Sequence, residues 1–283
     1  MGGKVGEKVS RGQAPRKKGV APANPQEPMR IAKAMAHAGL CSRRDAEKWI
    51  EAGRVAVNGK VLKTPAQVVS GTDKITVDGK ALPQAAPARL WRYNKPKGLV
   101  TSHKDPQARR TVFEALPEGL PRVVSVGRLD INTEGLLLLT SDGALARHLV
   151  LPSTGWVRRY RVRAHGRVSQ EALDGLRTGV TIDGIKYGPI EARLEREQGS
   201  NLWLTLALRE GKNREVKRIA EHLGLTVNRL IRVSFGPFAL GDLASGAVEE
   251  VKPKVLVDQL GTTLAGTLGL HRGQLDRQAT RRK

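Results

Sequence analysis

The chain of 283 residues carries 49 Lys+Arg against 27 Asp+Glu, a net charge of +22, with 39% hydrophobic but only 4% aromatic residues. That length suits two domains with largely aliphatic cores, and the charge calls for a polyanionic partner, either nucleic acid or an anionic membrane surface. No apolar run approaches the roughly 20 residues of a membrane helix, no N-terminal apolar stretch reads as a signal peptide, and a single cysteine, Cys41, excludes a disulfide framework and a zinc finger alike. A soluble, monomeric protein of a reducing compartment, the cytoplasm, is the expectation.

Residues 1–28 are basic, proline-containing and almost free of large apolar side chains, which predicts a disordered tail. Residues 259–283 have a similar composition and predict a second basic tail. Between them, Pro83-Gln-Ala-Ala-Pro-Ala88 reads as a linker that neither helix nor strand tolerates well. It separates a small module, 29–82, from a large one, 89–258.

In the small module, Ile31, Met35, Ala38 and Leu40 fit a helix that Gly39 stops. Ser42 with Asp45 forms a capping-box pattern, and Ala46, Trp49 and Ile50 give the second helix its apolar stripe. Short β-branched runs at 55–57, 61–62 and 75–77 follow, punctuated by the tight-turn pairs Asn58-Gly59 and Asp78-Gly79. Arg43 and Arg44 stand in the first turn of the second helix, where the macrodipole disfavours cations. Two readings are open: exposed arginines tolerated at little cost, or a phosphate held by the helix N-terminus and both guanidiniums. The run Arg-Ile-Ala-Lys-Ala through Gly-Leu-Cys-Ser-Arg-Arg-Asp-Ala-Glu to Val-Asn-Gly resembles the S-four-type RNA-binding domain over about residues 29–80. That resemblance implies that Lys33, Arg43, Arg44, Arg54 and Lys60 contact structured RNA.

The large module is first defined by what it lacks. No two glycines stand two apart, so every G-x-G loop for a dinucleotide or a methyl donor is missing. Gly211-Lys212 is followed by Asn213, not by the Ser or Thr of a phosphate-binding loop. The six histidines are scattered without metal-ligand spacing, and no G-x-S-x-G elbow is present. Neither a cofactor nor a metal is expected, which leaves chemistry within reach of carboxylates, lysines and a tyrosine.

Leu90-Trp-Arg-Tyr-Asn alternates as a strand and runs into Lys95-Pro-Lys97-Gly98, a stiff turn that presents two lysines. Gly127-Arg128-Leu-Asp130-Ile-Asn-Thr-Glu-Gly135 precedes four leucines, Leu136–Leu139, that read as a strand buried on both faces. Thr140-Ser-Asp-Gly143 then turns into a helix. Val157–Arg163 alternates so that Tyr160 and Val162 face one way and Arg159, Arg161 and Arg163 the other. Leu202, Leu204, Leu206 and Leu208 make a later strand. After it, Glu-Gly-Lys-Asn-Arg-Glu-Val-Lys-Arg218 enters a helix with Val216, Ile219, Ala220 and Leu223 on one face. Lys212, Arg214, Lys217 and Arg218 thus surround a helix start, again the wrong end for cations unless an anion lies nearby.

Taken together, the Gly-Arg-Leu-Asp segment, the Tyr-Arg-Val strand, the Lys-Pro-x-Gly turn and the Glu-Gly-Lys-Asn-Arg segment resemble the ribosomal RNA pseudouridine synthases of the RsuA/RluB group, over about residues 29–255. Departures are Ser141, where Asn is more usual, and Glu215, where Gln is. The resemblance implies that a uridine is isomerised in place, with Asp130 as nucleophile toward either the ribose anomeric carbon or the uracil ring. It further implies that Tyr160 packs on the target base, that Lys217 pairs with Asp130, and that Arg128 fills the gap left by the extruded nucleotide. For Arg128 and Lys217, plain phosphate binding is the alternative. Lys95, Lys97, Lys212, Arg214 and Arg218 are expected to contact RNA.

The expected fold is α+β: a small helix-rich RNA-binding domain, then a mixed, mainly antiparallel sheet with flanking helices and a cleft across it. The expected substrate is ribosomal RNA, free or in a pre-ribosomal particle, with the Glu-Gly-Lys-Asn-Arg variant favouring the large subunit. Alternatives are small-subunit or other structured RNA, or a silent RNA-binding assembly factor that would have no need of Asp130.

Overall fold

The computed structural model describes residues 28–270; the N-terminal tail expected over 1–28 lies outside it except for its last residue, as does the end of the C-terminal tail, 271–283. The small module opens with β1 (Met29–Arg30), α1 (Ile31–His37) and α2 (Arg43–Glu51). Short strands follow: β2 (Val55–Val57), β3 (Lys60–Val61), β4 (Val68–Val69), β5 (Ile75–Val77) and β6 (Lys80–Ala81). The capping box forms as its residues dictate, with Ser42 accepting from the Asp45 amide and Asp45 reaching back to the Ser42 amide. Asn58 and Asp78 both take positive φ ahead of Gly59 and Gly79, the conformation that two-residue hairpin turns require. Ile31, Met35, Ala46, Ile50, Val55 and Val69 close a small aliphatic core.

The large module begins with β7 (Leu90–Lys95), β8 (Val124–Ser125), β9 (Thr133–Thr140), α3 (Gly143–Val150) and β10 (Arg158–His165). Then come α4 (Gln170–Asp174), a hairpin of β11 (Val180–Ile182) and β12 (Ile185–Tyr187), and the long strands β13 (Ile190–Gln198) and β14 (Asn201–Leu208). It ends with α5 (Glu215–His222), β15 (Thr226–Phe235), β16 (Phe238–Ala239), β17 (Val248–Glu250), α6 (Pro253–Leu260) and α7 (Thr262–Thr267).

One nine-stranded sheet organises it, in the order β13-β14-β10-β15-β9-β7-β17, with β16 and β8 paired to β15 and β9. Pairing is antiparallel except between β15 and β9, which run parallel at the centre. Alternation assigns the faces. Leu137 and Leu139 join Val162, Leu204, Leu206 and Ile219 in a core on the side of α4 and α5. Leu136 and Leu138 join Leu145, Leu149, Phe235 and Leu256 in another on the side of α3, α6 and α7. All four leucines are fully buried, which is why the run carries no polar position.

The tail expected from 259 is corrected by this arrangement. Residues 262–267 are helical, Ala265, Leu268 and Leu270 are buried against Leu90, and the Ala88 amide donates to the Leu268 carbonyl. The polar, small-residue composition of the segment concealed three apolar anchors that complete this core. Two modules meet through His37, whose Nδ1 lies 2.9 Å from Oδ2 of Asp142.

Candidate active site

A cleft of about 950 Å³ opens across the parallel β9–β15 pair, lined by the 127–133 segment, Tyr160 from β10, the 208–217 segment and Arg232 from β15. It lies between the loop that enters β9 and the loop that leaves β14.

The Asp130 loop is fastened from below. Thr101 Oγ1 donates to the Leu129 carbonyl at 2.7 Å, the Gly98 amide to that of Ile131 at 2.8 Å, and the Thr133 amide to that of Asp130 at 3.0 Å. Lys95 completes the set: its Nζ donates to the carbonyls of Pro96, Ile131 and Thr133 at 3.0, 3.3 and 2.9 Å. Lys95 is fully buried, which corrects the expectation that it contacts RNA. Burial pushes its pKa down to about 8, against the pull of the Asp130 and Glu134 carboxylates. The Lys-Pro-x-Gly turn is therefore the floor beneath the Asp130 loop, and of its two lysines only Lys97 is exposed.

Above that floor Asp130 is open to solvent, and Lys217 Nζ from α5 stands 3.9 Å from its Oδ2. Tyr160 is buried on the cleft-facing parity of β10, while Arg159, Arg161 and Arg163 point outward as the alternation predicts. Arg161 finds its carboxylate in Glu195 at 2.9 Å and stacks on Trp203. Arg128 is exposed at the rim of the same cleft. All four residues expected to carry chemistry line one cleft.

The expected RNA-contacting residues are more dispersed. Lys212 and Arg214 line the cleft, although Lys212 is paired with Glu210 at 2.8 Å and lies over Tyr187. Arg218 is not among the lining residues. Lys33 and Arg43 line a second cavity at the junction of the modules, together with Arg122 and Arg147. Arg44 and Lys60 are exposed elsewhere on the small module. Arg54 is engaged by Asp78 through two hydrogen bonds and stacks on Trp49, so its charge is already compensated.

Arg158, Glu215 and Arg232 were missed as site residues. Both arginines occupy the apolar parity of their strands, the same parity as Tyr160 and Leu230, and that misplaced charge was the available signal. Arg158 donates to the carbonyls of Trp156, Arg209 and Val150. Both guanidiniums stack on Phe235, with centroid distances of 4.7 and 5.1 Å. Burial pushes the Glu215 carboxyl upward, against the Lys212 amide that donates to it.

The profile of the RNA pseudouridylate synthase family matches residues 89–222, and that of the S4 domain residues 29–75. An uncharacterized RNA pseudouridine synthase of Rickettsia felis is 49% identical over 227 residues, covering 80% of this chain and 98% of its own. The ribosomal large subunit pseudouridine synthase B of Pseudomonas aeruginosa is 42% identical over 253 residues, 85% of this chain and 65% of its own length. The crystal structure of a pseudouridylate synthase resembles this one with a TM-score of 0.57 at 27% identity, over 82% of this chain and 100% of its own.

Fold, cleft and relatives define an RNA-modifying isomerase with an RNA-binding domain in front of it. The chain belongs to the RNA pseudouridine synthases of the RsuA/RluB type.

Proposed function

We propose that this enzyme isomerises one uridine of large-subunit ribosomal RNA, in the cytoplasm, with Asp130 as its nucleophile. The observation that carries the reading is the pairing of an open Asp130 with Lys217, in one cleft with Tyr160 and Arg128. The large-subunit choice rests on the Glu-Gly-Lys-Asn-Arg segment and on the name of the Pseudomonas aeruginosa relative.

In the overall reaction the C1′–N1 bond breaks, a C1′–C5 bond forms, and the proton of C5 is replaced by one on N1. A carboxylate suits the nucleophilic step because it is ionised at neutral pH and leaves again readily. Lys217 holds Asp130 charged and aimed once RNA has covered the cleft and removed water. Tyr160 supplies a ring face for the extruded base, and Arg128 enters the space the base has left. Module limits of 29–82 for RNA binding and from 89 for catalysis fit this division of labour.

The test is a pseudouridine map of both ribosomal RNAs from cells lacking the protein, complemented with the natural chain or with Asp130→Asn. One large-subunit site lost, then restored by the natural chain alone, is the expected result. A site restored by Asp130→Asn refutes the nucleophile; a lost site in the small subunit refutes the substrate.

A further inference from the structure

Among the described residues, three buried side-chain polar atoms lack any hydrogen-bond partner: Glu215 Oε1, Arg232 Nη2 and Ser234 Oγ. Two of those residues line the active cleft, and the third follows two positions after Arg232 on the same strand. Buried polar groups are rarely left unpaired, because each forfeits its water without replacement. A wall that concentrates them is built for a group the protein itself does not supply.

Arg232 is the charged member of the set. It is 2% exposed, and its Nε donates to the Leu136 carbonyl at 2.8 Å, which fixes the plane of the guanidinium. Neither terminal nitrogen has an acceptor among the described residues. Strand register places Arg232 directly across from Tyr160 on one side and from Gly135 on the other. Directly opposed residues share a sheet face with Cβ atoms about 5 Å apart. The register shifts by a bulge between Arg159 and Tyr160, and both Tyr160 and Arg232 line the cleft, so a base stacked on Tyr160 occupies the same cleft as this guanidinium.

Uracil offers carbonyl oxygens at its edge, and O4 is where both routes of attack deposit charge. If Asp130 attacks C1′, the C1′–N1 bonding pair stays with the ring and spreads over N1, O2 and O4. If Asp130 adds to C6, the C5–C6 π pair moves through C4 onto O4. In either case the C1′–N1 bond breaks, the C1′–C5 bond forms and Asp130 departs as its carboxylate. Loss of the C5 proton is matched by gain of one at N1, so the ring ends neutral.

Resting on the proposed reading of Asp130 and Tyr160, we infer that Arg232 contacts the substrate, donating from its terminal nitrogens to O4 of the target uracil. It stabilises the negative charge that the oxygen gains. A preorganised donor in a water-excluded site acts mainly on kcat.

Arg232→Lys keeps a cation over Phe235, and Arg232→Met removes it; thermal unfolding identifies which variants stay folded. Each is assayed, with the full-length wild-type protein, on an RNA hairpin bearing the mapped target as uridine or as 4-thiouridine, whose sulfur is a poor acceptor. The expected result is a fall in kcat of about 100-fold with RNA affinity within about twofold. Sulfur substitution slows the wild type but has little further effect on the variants. A folded variant with near-wild-type kcat overturns the inference. So does a loss confined to RNA affinity, which places a phosphate at Arg232, and so does an undiminished sulfur effect. Wild-type turnover in the same assay judges the substrate reading by itself, so the two fail separately.

Discussion

His37 of the RNA-binding module and Asp142 of the catalytic module form a 2.9 Å hydrogen-bonded pair, ionic when His37 is protonated, whose carboxylate also fixes a helix end. Asp142 Oδ1 caps α3 by accepting from the Ala144 and Leu145 amides, each at 2.7 Å, while Oδ2 takes His37. One carboxylate thus ties the strand-to-helix turn after β9 to the other module. The pair lies on the rim of the inter-module cavity that Arg43, Arg122 and Arg147 also line.

Docking of the two modules should accordingly depend on pH. The hydrogen bond that His37 donates to Asp142 raises the His37 pKa, with burial opposing and the Asp142 charge assisting. Burial pushes Asp142 up, but the His37 bond and the α3 amides outweigh it and leave its pKa lowered. The His37 contribution is therefore complete below its unfolded value of about 6.5 and disappears as pH rises through the raised folded value. The Asp142 contribution is present above about 3.9 and is lost as pH falls through the lowered one. Because His37 is partly exposed, the tie is worth roughly 0.5–1 kcal/mol. Proteolysis within 83–88 should accelerate from about pH 5.5 to about pH 8.5, and His37→Ala should remove that dependence. Equal pH profiles for the two proteins would disprove it.

Gly135 is a packing requirement at the centre of the sheet. Its φ is +96°, and a Cβ there would collide with the Arg232 carbonyl oxygen and come within 2.9 Å of Ile231 Cγ2. Gly135→Ala should separate β9 from β15 and destabilise the protein by about 3 kcal/mol, lowering Tm by roughly 6–12 °C. Calorimetry that shows Tm unchanged would mean that the parallel pair adjusts without strain.

Much of this was legible in local pattern. The alternation from Arg158 to His165, the four leucines and the Ser42–Asp45 box each specify their structure through neighbours along the chain. The grouping of Asp130, Tyr160 and Lys217 came from motif order, since spacing alone says nothing of a 3.9 Å approach between the loop before β9 and α5. What stayed hidden was set by tertiary contact. Nothing within Lys95-Pro-Lys97-Gly98 shows that the Ile131 and Thr133 carbonyls will close over the first lysine and leave the second in water. Leu268 and Leu270 belong to a polar-looking tail until Ala88 and Leu90 are placed beside them.

Arg43 and Arg44 are the first two residues of the capped helix α2, exposed and without a carboxylate partner among the described ion pairs. If each meets an RNA phosphate, replacing both with alanine weakens binding and reduces the log–log salt slope by about 1.5–2. Filter binding between low and moderate salt measures this, and an unchanged slope assigns the two arginines to solvent.

Lys95→Met separates a structural lysine from an RNA-binding one. Methionine fills nearly the same volume but offers no donor, leaving the Pro96, Ile131 and Thr133 carbonyls without the ammonium that gathers them. Because burying the ammonium carries a desolvation cost that its removal relieves, offsetting the lost hydrogen bonds, the global stability change should be modest, within about 2 kcal/mol. The turn that carries Asp130 loses its common anchor, however, and a displacement near 1 Å is enough to cost roughly 100-fold in rate. The expected pattern is therefore a fall in kcat with RNA affinity and its salt slope intact. A phosphate-contacting Lys95 would give the reverse, weaker binding and a slope reduced by about one, with turnover at saturating RNA preserved.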